Sequence, residues 1–472
     1  MPPSIFWYDF ETTGVDAILD RPLQFAGVRT DLELNIIGEP VNVFSAPGND
    51  VIPNPDAIAV TGLSMFELSV TGLSETDFCK EVLRHVSEPE TCVAGYNSIR
   101  FDDEFLRQMC YRNFRDPYER EWRNGNSRWD VIDFLRMAFA LRPDGINWPL
   151  DEGGLPTFRL ELLTEANDIE HGQAHDAVSD VIATIELTKR VKEAQPKLYE
   201  FLFRQRQKKI LLQQLYPLGK QAVVHVSSMY GAKRSCLGIV LPICSHPTKS
   251  NGVICYDLTV DPVPLIDANA EEVARLVFST TQDLAEGESR IPLKTVHANR
   301  CPAIAPLATL GQAQADRLGI DLSLCEERLR LLQKTAGLTE KINDAFANRE
   351  FPSTEDPDRM LYQGGFFGSS DVAIMAQIHE AEVEDLPSFA ERFKDDRLPE
   401  MLFRFRARNY PEGLSVDERE RWLKFCRERW SDGAALTESL DRIEALHLEK
   451  GAVKGLSDLR QYLLNISADV LG

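Results

Sequence analysis

The sequence lacks the segments that would attach the protein to a membrane or export it. No stretch of its 472 residues reaches about 18 consecutive apolar residues, the length that a membrane-spanning helix needs. The N-terminus runs from Met-Pro-Pro-Ser directly into a predicted strand, without the basic region and apolar stretch of a signal peptide. Internal repeats and low-complexity segments are absent as well. We therefore expect a globular, cytoplasmic protein without membrane partners.

The cysteines exclude two further classes of protein. The nine cysteines are scattered, odd in number, and never form a C-x-x-C pair. Such usage argues against a disulfide framework and against a zinc cluster, and it favours a reducing compartment.

Positive charge is scarce overall, since 52 lysines and arginines face 74 acidic residues and the net charge is −22. This balance argues against nucleic-acid binding over the whole surface, because phosphates attract local positive charge. Residues 107–136 differ, with seven arginines, five acidic residues and no lysine. Six aromatic residues are interleaved there, a composition that could hold a single strand while other faces repel polyanions: Tyr111, Phe114, Tyr118, Trp122, Trp129 and Phe134.

The composition is otherwise that of a globular protein, and the length suggests about three domains. The first 195 residues predict strands at 5–9, 23–29, 35–44 and 92–96. Helical periodicity follows near 75–87, from 102, at 131–141, from about 157 and at 176–193. Three strands followed by alternating helix and strand predict a mixed α/β sheet, as in ribonuclease-H-like folds.

The pattern changes twice after residue 195. Short β-branched runs at 223–226, 237–241, 253–258 and 291–297 predict a small barrel or sandwich with inserted helices. From 361 onward the sequence is mostly helical, with periodic patches at 419–429, 436–448 and 456–464. We therefore predict domains at 1–195, 196–349 and 350–472.

The first candidate site is the sequence Asp9-Phe10-Glu11-Thr12-Thr13-Gly14 after an apolar run. Side chains alternate along a strand, so Asp9 and Glu11 share one face and form half of a site for a hard cation. The alternative is a solvated strand end, and the choice depends on whether other ligands exist.

Two later segments offer those ligands. Asp102 opens a helix just after a predicted strand, where it either binds metal or only complements the helix dipole. His175 and Asp180 lie five residues apart, which places His175 on the loop entering a helix and Asp180 on its first turns. The alternative for His175 is a surface or capping role.

D-x-E-T-x-G, N-x-x-x-F-D and H-x-x-x-x-D occur together, in this order, within one 180-residue α/β segment. Chance does not readily produce this combination. The chain here resembles the DEDD exonuclease superfamily, in its histidine-bearing branch.

Other motifs resemble the bacterial exodeoxyribonuclease I family over essentially the full length. They are DRPLQFA at 20–26, GYN at 95–97, RFDDE at 100–104, NSRWD at 126–130, ALRPDGINWP at 140–149, HDA at 175–177, YQGGFF at 362–367 and RARNYP at 406–411. The resemblance implies an exonuclease domain, a Src-homology-3-like domain and a C-terminal helical domain.

This resemblance also implies an activity: processive 3′→5′ hydrolysis of single-stranded DNA to 5′-mononucleotides, in DNA repair or recombination. The expected enzyme is a monomer whose partners are single-stranded DNA and the acidic C-terminal tail of a single-stranded-DNA-binding protein. Two alternatives remain: a 3′→5′ exoribonuclease or proofreading subunit, and a catalytically inert DNA-binding scaffold.

Two Mg²⁺ ions, for which Mn²⁺ substitutes, would support in-line hydrolysis of the phosphodiester. Asp9 is assigned as the ligand shared by both ions. Glu11 and Asp180 complete the nucleophile-side ion, Asp102 holds the other, and His175 is the general base.

Substrate contacts are predicted from position and residue type. Glu11 is expected to approach the 3′-hydroxyl, with Thr12 and Thr13 closing on the last nucleotide. The resemblance places the helix that Arg159 opens beside the catalytic cleft and so implies that Arg159 contacts a substrate phosphate; the alternative is a surface helix arginine. Proteins hold single strands by stacking on the bases and by contacts to the backbone. Five further residues are candidates for such contacts: Arg107, Tyr118, Trp122, Arg136 and Phe158. The alternative for the aromatic ones is a place in the core.

Basic clusters at 204–209 and 404–408 leave three alternatives open. They line the DNA channel, they dock the acidic tail of the partner protein, or they are solvated helix faces.

Overall fold

The computed structural model describes residues 2–170, 177–347, 353–451 and 453–471. These residues form ten strands: β1 (Ser4–Thr12), β2 (Pro22–Thr30), β3 (Val41–Phe44), β4 (Thr91–Gly95), β5 (Ser127–Asp130), β6 (Val223–Val226), β7 (Leu237–Ser245), β8 (Gly252–Asp257), β9 (Leu293–His297) and β10 (Ile304–Pro306).

The described ranges also form nineteen α-helices: α1 (Pro55–Thr61), α2 (Met65–Thr71), α3 (Glu75–Val86), α4 (Asp102–Arg112), α5 (Val131–Leu141), α6 (Leu160–Ala166), α7 (Ala177–Ala194), α8 (Pro196–Arg204), α9 (Lys208–Leu215), α10 (Val263–Asp267), α11 (Ala270–Phe278), α12 (Gln312–Arg317), α13 (Leu322–Lys334), α14 (Leu338–Ala347), α15 (Ser369–Ile378), α16 (Leu398–Asn409), α17 (Val416–Arg429), α18 (Ala434–Lys450) and α19 (Lys454–Val470). Short 3₁₀ helices connect several of them, and one of these, Val383–Arg392, spans ten residues.

The chain packs into two compact units. The first comprises the described residues of Met1–Ser127, His171–Ile182 and Pro352–Gly472, and the second those of Arg128–Glu170 and Ala183–Phe351. The units interleave along the chain. The boundaries 1–195, 196–349 and 350–472 stay a prediction.

The sheet of the first unit is mixed and has the order β3-β2-β1-β4. β1 pairs antiparallel with β2, from Ile5 opposite Thr30 to Glu11 opposite Gln24. On its other side β1 runs parallel to β4. Because parallel strands end at the same edge, the helix that follows β4 begins near the end of β1.

The strand predicted at 35–44 is wrong in its first part, since β3 covers only Val41–Phe44. Gly38 adopts a φ of 81°, a left-handed conformation that a strand does not accommodate. The helix predicted near 75–87 is α3, and it is capped by Ser74, whose side chain accepts from the Asp77 N–H.

Three hydrophobic cores hold the first unit together. One lies between the sheet and α3–α4 and contains Phe6, Phe10, Phe25, Phe78 and Phe105. The other two combine N-terminal and C-terminal residues of the chain, such as Ile58 with Leu459 and Phe114 with Phe405. The C-terminal helices are therefore built into the unit that contains β1.

The second unit contains an antiparallel sheet with the order β10-β6-β7-β8-β9. Its core includes Val223, Val240, Cys255 and Ile304. Strand β10 is absent from the sequence-based prediction because three residues are too few to show an alternating pattern. Among the described residues of both units, no helix is long and apolar enough to cross a membrane.

Candidate active site

The end of β1 separates a buried face from a partly buried one. Tyr8 and Phe10 belong to an aromatic core, whereas Asp9 and Glu11 are only partly buried. The two carboxylates share a face, as the alternation predicts. The pairing of β1 with β4 ends at Trp7, so Asp9 and Glu11 lie beyond the last residue of β1 that pairs with β4.

Asp180 brings a third carboxylate to this position. It lies in the first turn of α7, and single oxygens of Asp9, Glu11 and Asp180 all lie within 4.8 Å of one another. Oxygen ligands surround Mg²⁺ or Ca²⁺ at about 2.0–2.6 Å, so two ligands of one ion are at most about 4–5 Å apart. The three oxygens therefore fit around one divalent cation.

Asp102 reaches the same strand from the start of α4. Its side chain is buried, and Oδ1 accepts a hydrogen bond of 2.9 Å from the backbone N–H of Phe10. This bond occupies a donor of β1 beyond the pairing with β4. It holds the carboxylate beside the residue that follows Asp9.

The electrostatics of the cluster are those of crowded like charges. Burial, then the charge of Asp180, raises the pKa of Asp9 from 3.8 to about 8. Burial, then the charge of Asp9, raises the pKa of Asp102 well above its ordinary value. In both cases the largest opposing effect is a hydrogen bond with the backbone of Phe10. A bound cation would offset this repulsion, so the residues suit a divalent metal.

The neighbouring Asp103 has a different role, although it is equally buried. Its Oδ1 accepts from the Tyr8 hydroxyl at 2.8 Å and from Arg120 Nη2 at 2.6 Å. Asp103 is thus neutralised by a guanidinium, and Asp102 is the member of the pair that faces the cluster.

The turn after Glu11 is closed by its own hydrogen bonds. Thr12 Oγ1 donates to the Gly14 carbonyl at 2.6 Å, and Thr13 Oγ1 donates to Asp20 Oδ1 at 2.9 Å. Both threonines are buried. Their predicted contact with the last nucleotide stays a prediction, and for Thr13 the hydroxyl is already engaged.

Three predicted DNA contacts lie in the first unit in different surroundings. Arg107 is buried and pairs with Glu104 at 2.9 Å and Glu121 at 2.8 Å. Its guanidinium lies 5.4 Å from the ring centre of Tyr118, which is half-buried. Trp122 is 67% exposed.

Ion pairs neutralise much of the arginine-rich stretch at 107–136. Arg112 pairs with Glu75, Arg120 with Asp103, and Arg136 with Asp133. Four of its six aromatics are core residues: Tyr111, Phe114, Trp129 and Phe134. Tyr118 and Trp122 are the two that remain accessible.

The remaining predicted contacts lie in the second unit. Arg136 is buried and lies 5.8 Å from the ring centre of Phe158, so these two residues contact each other. Arg159 precedes α6, is exposed, and donates from Nε to Glu161 at 2.7 Å. Exposed pairs of this kind are weak, so Arg159 can exchange partners.

The predictions for His175 and for the two basic clusters have different outcomes. His175 lies outside the described residues. The cluster at 404–408 is neither a DNA-lining surface nor a solvated helix face, because Arg404 and Arg406 are buried and ion-paired. In the cluster at 204–209, Arg204, Lys208 and Lys209 are exposed, as a docking surface or a solvated face requires.

Three family models match successive parts of the chain. The exonuclease model matches residues 6–188, the exonuclease I SH3-like domain 206–348, and the exonuclease I C-terminal domain 355–466.

Curated relatives extend this match over the whole chain. Exodeoxyribonuclease I of Haemophilus influenzae is 43% identical over 447 residues, which cover 94% of each chain. The chain belongs to the exonuclease I family. Exodeoxyribonuclease I of Escherichia coli is 42% identical over 426 residues, covering 90% of this chain and 89% of the relative.

Solved members of the exonuclease I family share the fold. Exonuclease I of Methylocaldum szegediense has a TM-score of 0.93 and 46% identity over 100% of both chains. Escherichia coli exonuclease I in complex with a dA16 oligonucleotide has a TM-score of 0.94 and 40% identity, covering 98% of this chain and 100% of the other.

Two further structures, the first of them from Escherichia coli, concern metals and partners. One is a zinc-bound complex of exonuclease I with single-stranded DNA, with a TM-score of 0.93 and 38% identity over 100% of both chains. The other is SSB/exonuclease I with an inhibitor, with a TM-score of 0.91 and 38% identity, covering 99% of this chain and 100% of the other.

Membership of the exonuclease I family confirms the resemblance inferred from the motifs. It also confirms the predicted fold class: an exonuclease domain with a mixed sheet, an SH3-like domain and a C-terminal helical domain. The acidic group in an exonuclease fold supports the use of a divalent metal.

Residues 362–367 contact two of the predicted DNA-binding residues, a role that the sequence analysis did not assign to them. Phe366 is 89% exposed and its ring centre lies 6.1 Å from that of Tyr118. The Tyr362 hydroxyl donates to Glu104 and accepts from Arg107 at 3.3 Å. An aromatic pair after two glycines was the available signal, but only folding brings it to Tyr118.

Proposed function

We propose that this protein is an exonuclease that removes 5′-mononucleotides stepwise from the 3′ end of single-stranded DNA. The observation that carries the proposal is the convergence of Asp9, Glu11 and Asp180 within 4.8 Å, in a chain of the exonuclease I family. The oligonucleotide complexes of the Escherichia coli relative support the choice of substrate. Processivity and a role in DNA repair or recombination belong to the same proposal.

Two Mg²⁺ ions are proposed for this site, with Mn²⁺ as a substitute. Asp9, Glu11 and Asp180 would hold one ion, and Asp9 with Asp102 the other. When bound, such ions supply an activated water and stabilise the charge of the phosphate and of the leaving oxygen. The raised pKa values of Asp9 and Asp102 support this arrangement, because a cation would offset the burial and the like charges that cause them.

The protein's own residues orient the end of the strand and move the proton. His175 is proposed as the general base that takes a proton from the attacking water, which requires a neutral imidazole. Glu11 and the backbone of residues 12–14 are proposed to contact the terminal nucleotide. Asp102 is held for its role by the Phe10 N–H at 2.9 Å.

Exposed aromatics are proposed to carry the strand away from the cluster. Trp122, Tyr118 and Phe366 offer ring faces on the first unit, and stacking on such faces tolerates any base. Arg159 is proposed to contact a phosphate, because its exposed partner Glu161 holds it only weakly. Arg107, Arg136 and Phe158 stay proposals of lower accessibility.

The partner is proposed to be a single-stranded-DNA-binding protein, as in the similar SSB/exonuclease I structure. The exposed basic residues at 204–209 are a candidate surface for its acidic tail. A monomeric state and a cytoplasmic location remain the predictions made from the sequence.

The direct test uses three labelled 30-residue oligomers: single-stranded DNA, its duplex, and RNA of the same sequence. With Mg²⁺, a 5′-label should show progressive shortening of single-stranded DNA, and a 3′-label should appear at once in a mononucleotide. EDTA and the variant Asp9→Asn should abolish both, whereas Glu39→Gln, a change at an exposed acid, should leave them intact.

Two outcomes would favour the alternatives. Faster degradation of RNA than of DNA would indicate an exoribonuclease. Tight binding of single-stranded DNA without any product, in Mg²⁺ and in Mn²⁺, would indicate an inert scaffold.

A further inference from the structure

The turn that follows Glu11 is held by residues 20–21 rather than by regular strand pairing. The β1–β2 register shifts between Glu11 and Thr12. Beyond it, Thr13 N–H donates to the Arg21 carbonyl at 2.8 Å, and the Arg21 N–H donates to Thr13 Oγ1 at 2.9 Å. A Cβ at Gly14 would lie within 2.6 Å of the Asp20 carboxylate, so this turn packs closely on residue 20.

The side chain of Arg21 points from this turn into a buried ion-pair network. Its Nη2 lies 3.0 Å from Asp50 Oδ2, and its Nη1 donates to the carbonyls of Leu19 at 2.8 Å and Asp20 at 3.1 Å. Arg21 and Asp50 are 5% and 1% exposed, so water competes little for these contacts. The backbone of Arg21 clasps the turn while its guanidinium fixes where residues 19–21 can lie.

Asp50 is held in turn by the C-terminal part of the chain. Arg408 on α16 donates from Nε to Asp50 Oδ2 at 3.1 Å and also pairs with Asp358. Arg429 at the end of α17 donates to the Asp50 carbonyl at 3.0 Å. Burial would raise the pKa of Asp50, but the guanidinium groups of Arg408 and Arg21 outweigh it and hold this pKa well below its usual value.

We propose that Arg408 is a positioning residue for the 3′-terminal nucleotide, acting through Asp50 and Arg21 on the turn at residues 12–14. This inference rests on the proposed exonuclease function. A helix 400 residues away in sequence thereby sets the geometry of the turn next to Glu11. Loss of this support should misplace the end of the strand without altering the exposed aromatics that bind the rest of it.

Arg406 provides the matched control. It lies on the same helix, is 6% exposed and pairs with Glu418 at 2.6 Å. That pair stays within the C-terminal segment and does not lead to the turn. Arg408→Lys and Arg406→Lys are the same chemical change, since each keeps the charge and loses the planar fork of donors.

The experiment measures kcat and KM on single-stranded oligomers that end in a 3′-hydroxyl or a 3′-phosphate, together with the Kd for the 3′-hydroxyl oligomer in EDTA. Arg408→Lys should lower kcat on the 3′-hydroxyl end about tenfold, because small misplacements of a reacting group are costly. It should also reduce the preference for the 3′-hydroxyl over the 3′-phosphate, with the Kd unchanged. Arg406→Lys should change none of these.

Equal effects of the two variants, or an unchanged end preference in Arg408→Lys, would overturn the proposal. Asp50→Asn is the second variant and should give the same signature. If neither Arg408→Lys nor Asp50→Asn folds, the network serves stability alone and the positioning role is refuted. A wild-type protein that degrades no strand from its 3′ end would instead refute the proposed function.

Discussion

Two groups of carboxylates in the same compact unit have opposite electrostatics. Asp9 and Asp102 lie among other acids, and burial together with like charges raises their pKa values. Asp50 and Asp358 are at least as buried, but guanidinium groups, Arg408 foremost, hold their pKa values well below the usual range. The first group needs a cation that the chain does not supply, whereas the second supplies its own.

The two groups therefore have different roles: the first belongs to the candidate active site, and the second supports the fold. Removal of one partner from a buried carboxylate–arginine pair leaves an uncompensated buried charge and destabilises the folded state. A cluster of acids at the end of a strand destabilises the metal-free fold, and such an arrangement is typical of sites that perform chemistry. Substitutions should therefore have opposite consequences in the two groups.

The largest effect is expected in the first group. Asp9→Asn should lower kcat on single-stranded DNA by about 10³-fold or more, because the proposed ligand of both metals is lost. The same change should raise the Tm in EDTA, since it removes a charge that the fold resists. Nuclease assays and thermal unfolding would measure the two effects. A destabilised Asp9→Asn would contradict the account of the cluster.

The next effect is expected in the second group. Asp358→Asn leaves the buried guanidinium groups of Arg404 and Arg408 without their shared carboxylate. Loss of one partner from such a pair costs about 3–5 kcal/mol, which urea unfolding would detect. Glu420→Gln, at an exposed acid of α17, is the control and should be neutral. A loss below about 1 kcal/mol would place this network among weak surface pairs.

The comparison extends to the predicted DNA contacts. Trp122 is 67% exposed, whereas Arg107 is buried between Glu104 and Glu121. Trp122→Ala should weaken binding of single-stranded DNA by about 1–3 kcal/mol in EDTA with no loss of stability. Arg107→Gln should mainly lower stability. Exchanged outcomes, measured by fluorescence anisotropy and urea unfolding, would place Arg107 in the DNA track and Trp122 outside it.

The last contrast between the two groups concerns pH. The raised pKa of Asp9 contributes stability that is present below pH 3.8 and is lost as the pH rises to about 8. The lowered pKa values of Asp50 and Asp358 contribute stability that is present above the usual carboxylate pKa and is lost only as the pH falls below it.

Thermal unfolding in EDTA should show this contrast as a shift of several degrees, at roughly 2–4 °C per kcal/mol. Between pH 5 and pH 8 the wild-type Tm should fall relative to that of Asp9→Asn, and Mg²⁺ should restore it more at pH 8 than at pH 5. A parallel course of the two proteins would show that Asp9 titrates normally.

Local patterns account for what could be predicted. Alternation placed Asp9 and Glu11 on one face, and the helices starting near Asp102 and Asp180 follow from periodicity and chain position. The ordered motifs identified the family and its three-part fold class. These features depend on neighbouring residues, so a single sequence contains them.

Local patterns could not predict which distant residues the arginines and aromatics contact. Arg404, Arg406 and Arg408 form an apparently basic run, yet apart from Glu400 on the same helix their acids come from positions 50, 356, 358 and 418. Arg107 likewise pairs with an acid outside its own helix, Glu121, and Phe366 meets Tyr118 only because the chain returns after about 250 residues.

The sequence by itself determined the chemistry that this protein can perform, through the acids that lie at the end of β1 and near the start of two helices. Tertiary structure alone decided which charges are neutralised inside the fold. Charges distant in sequence interact only when folding removes water from between them, and no local pattern encodes that distance. Asp102 and Asp103 illustrate the division: they are adjacent in sequence, but among the described residues only Asp103 meets an arginine.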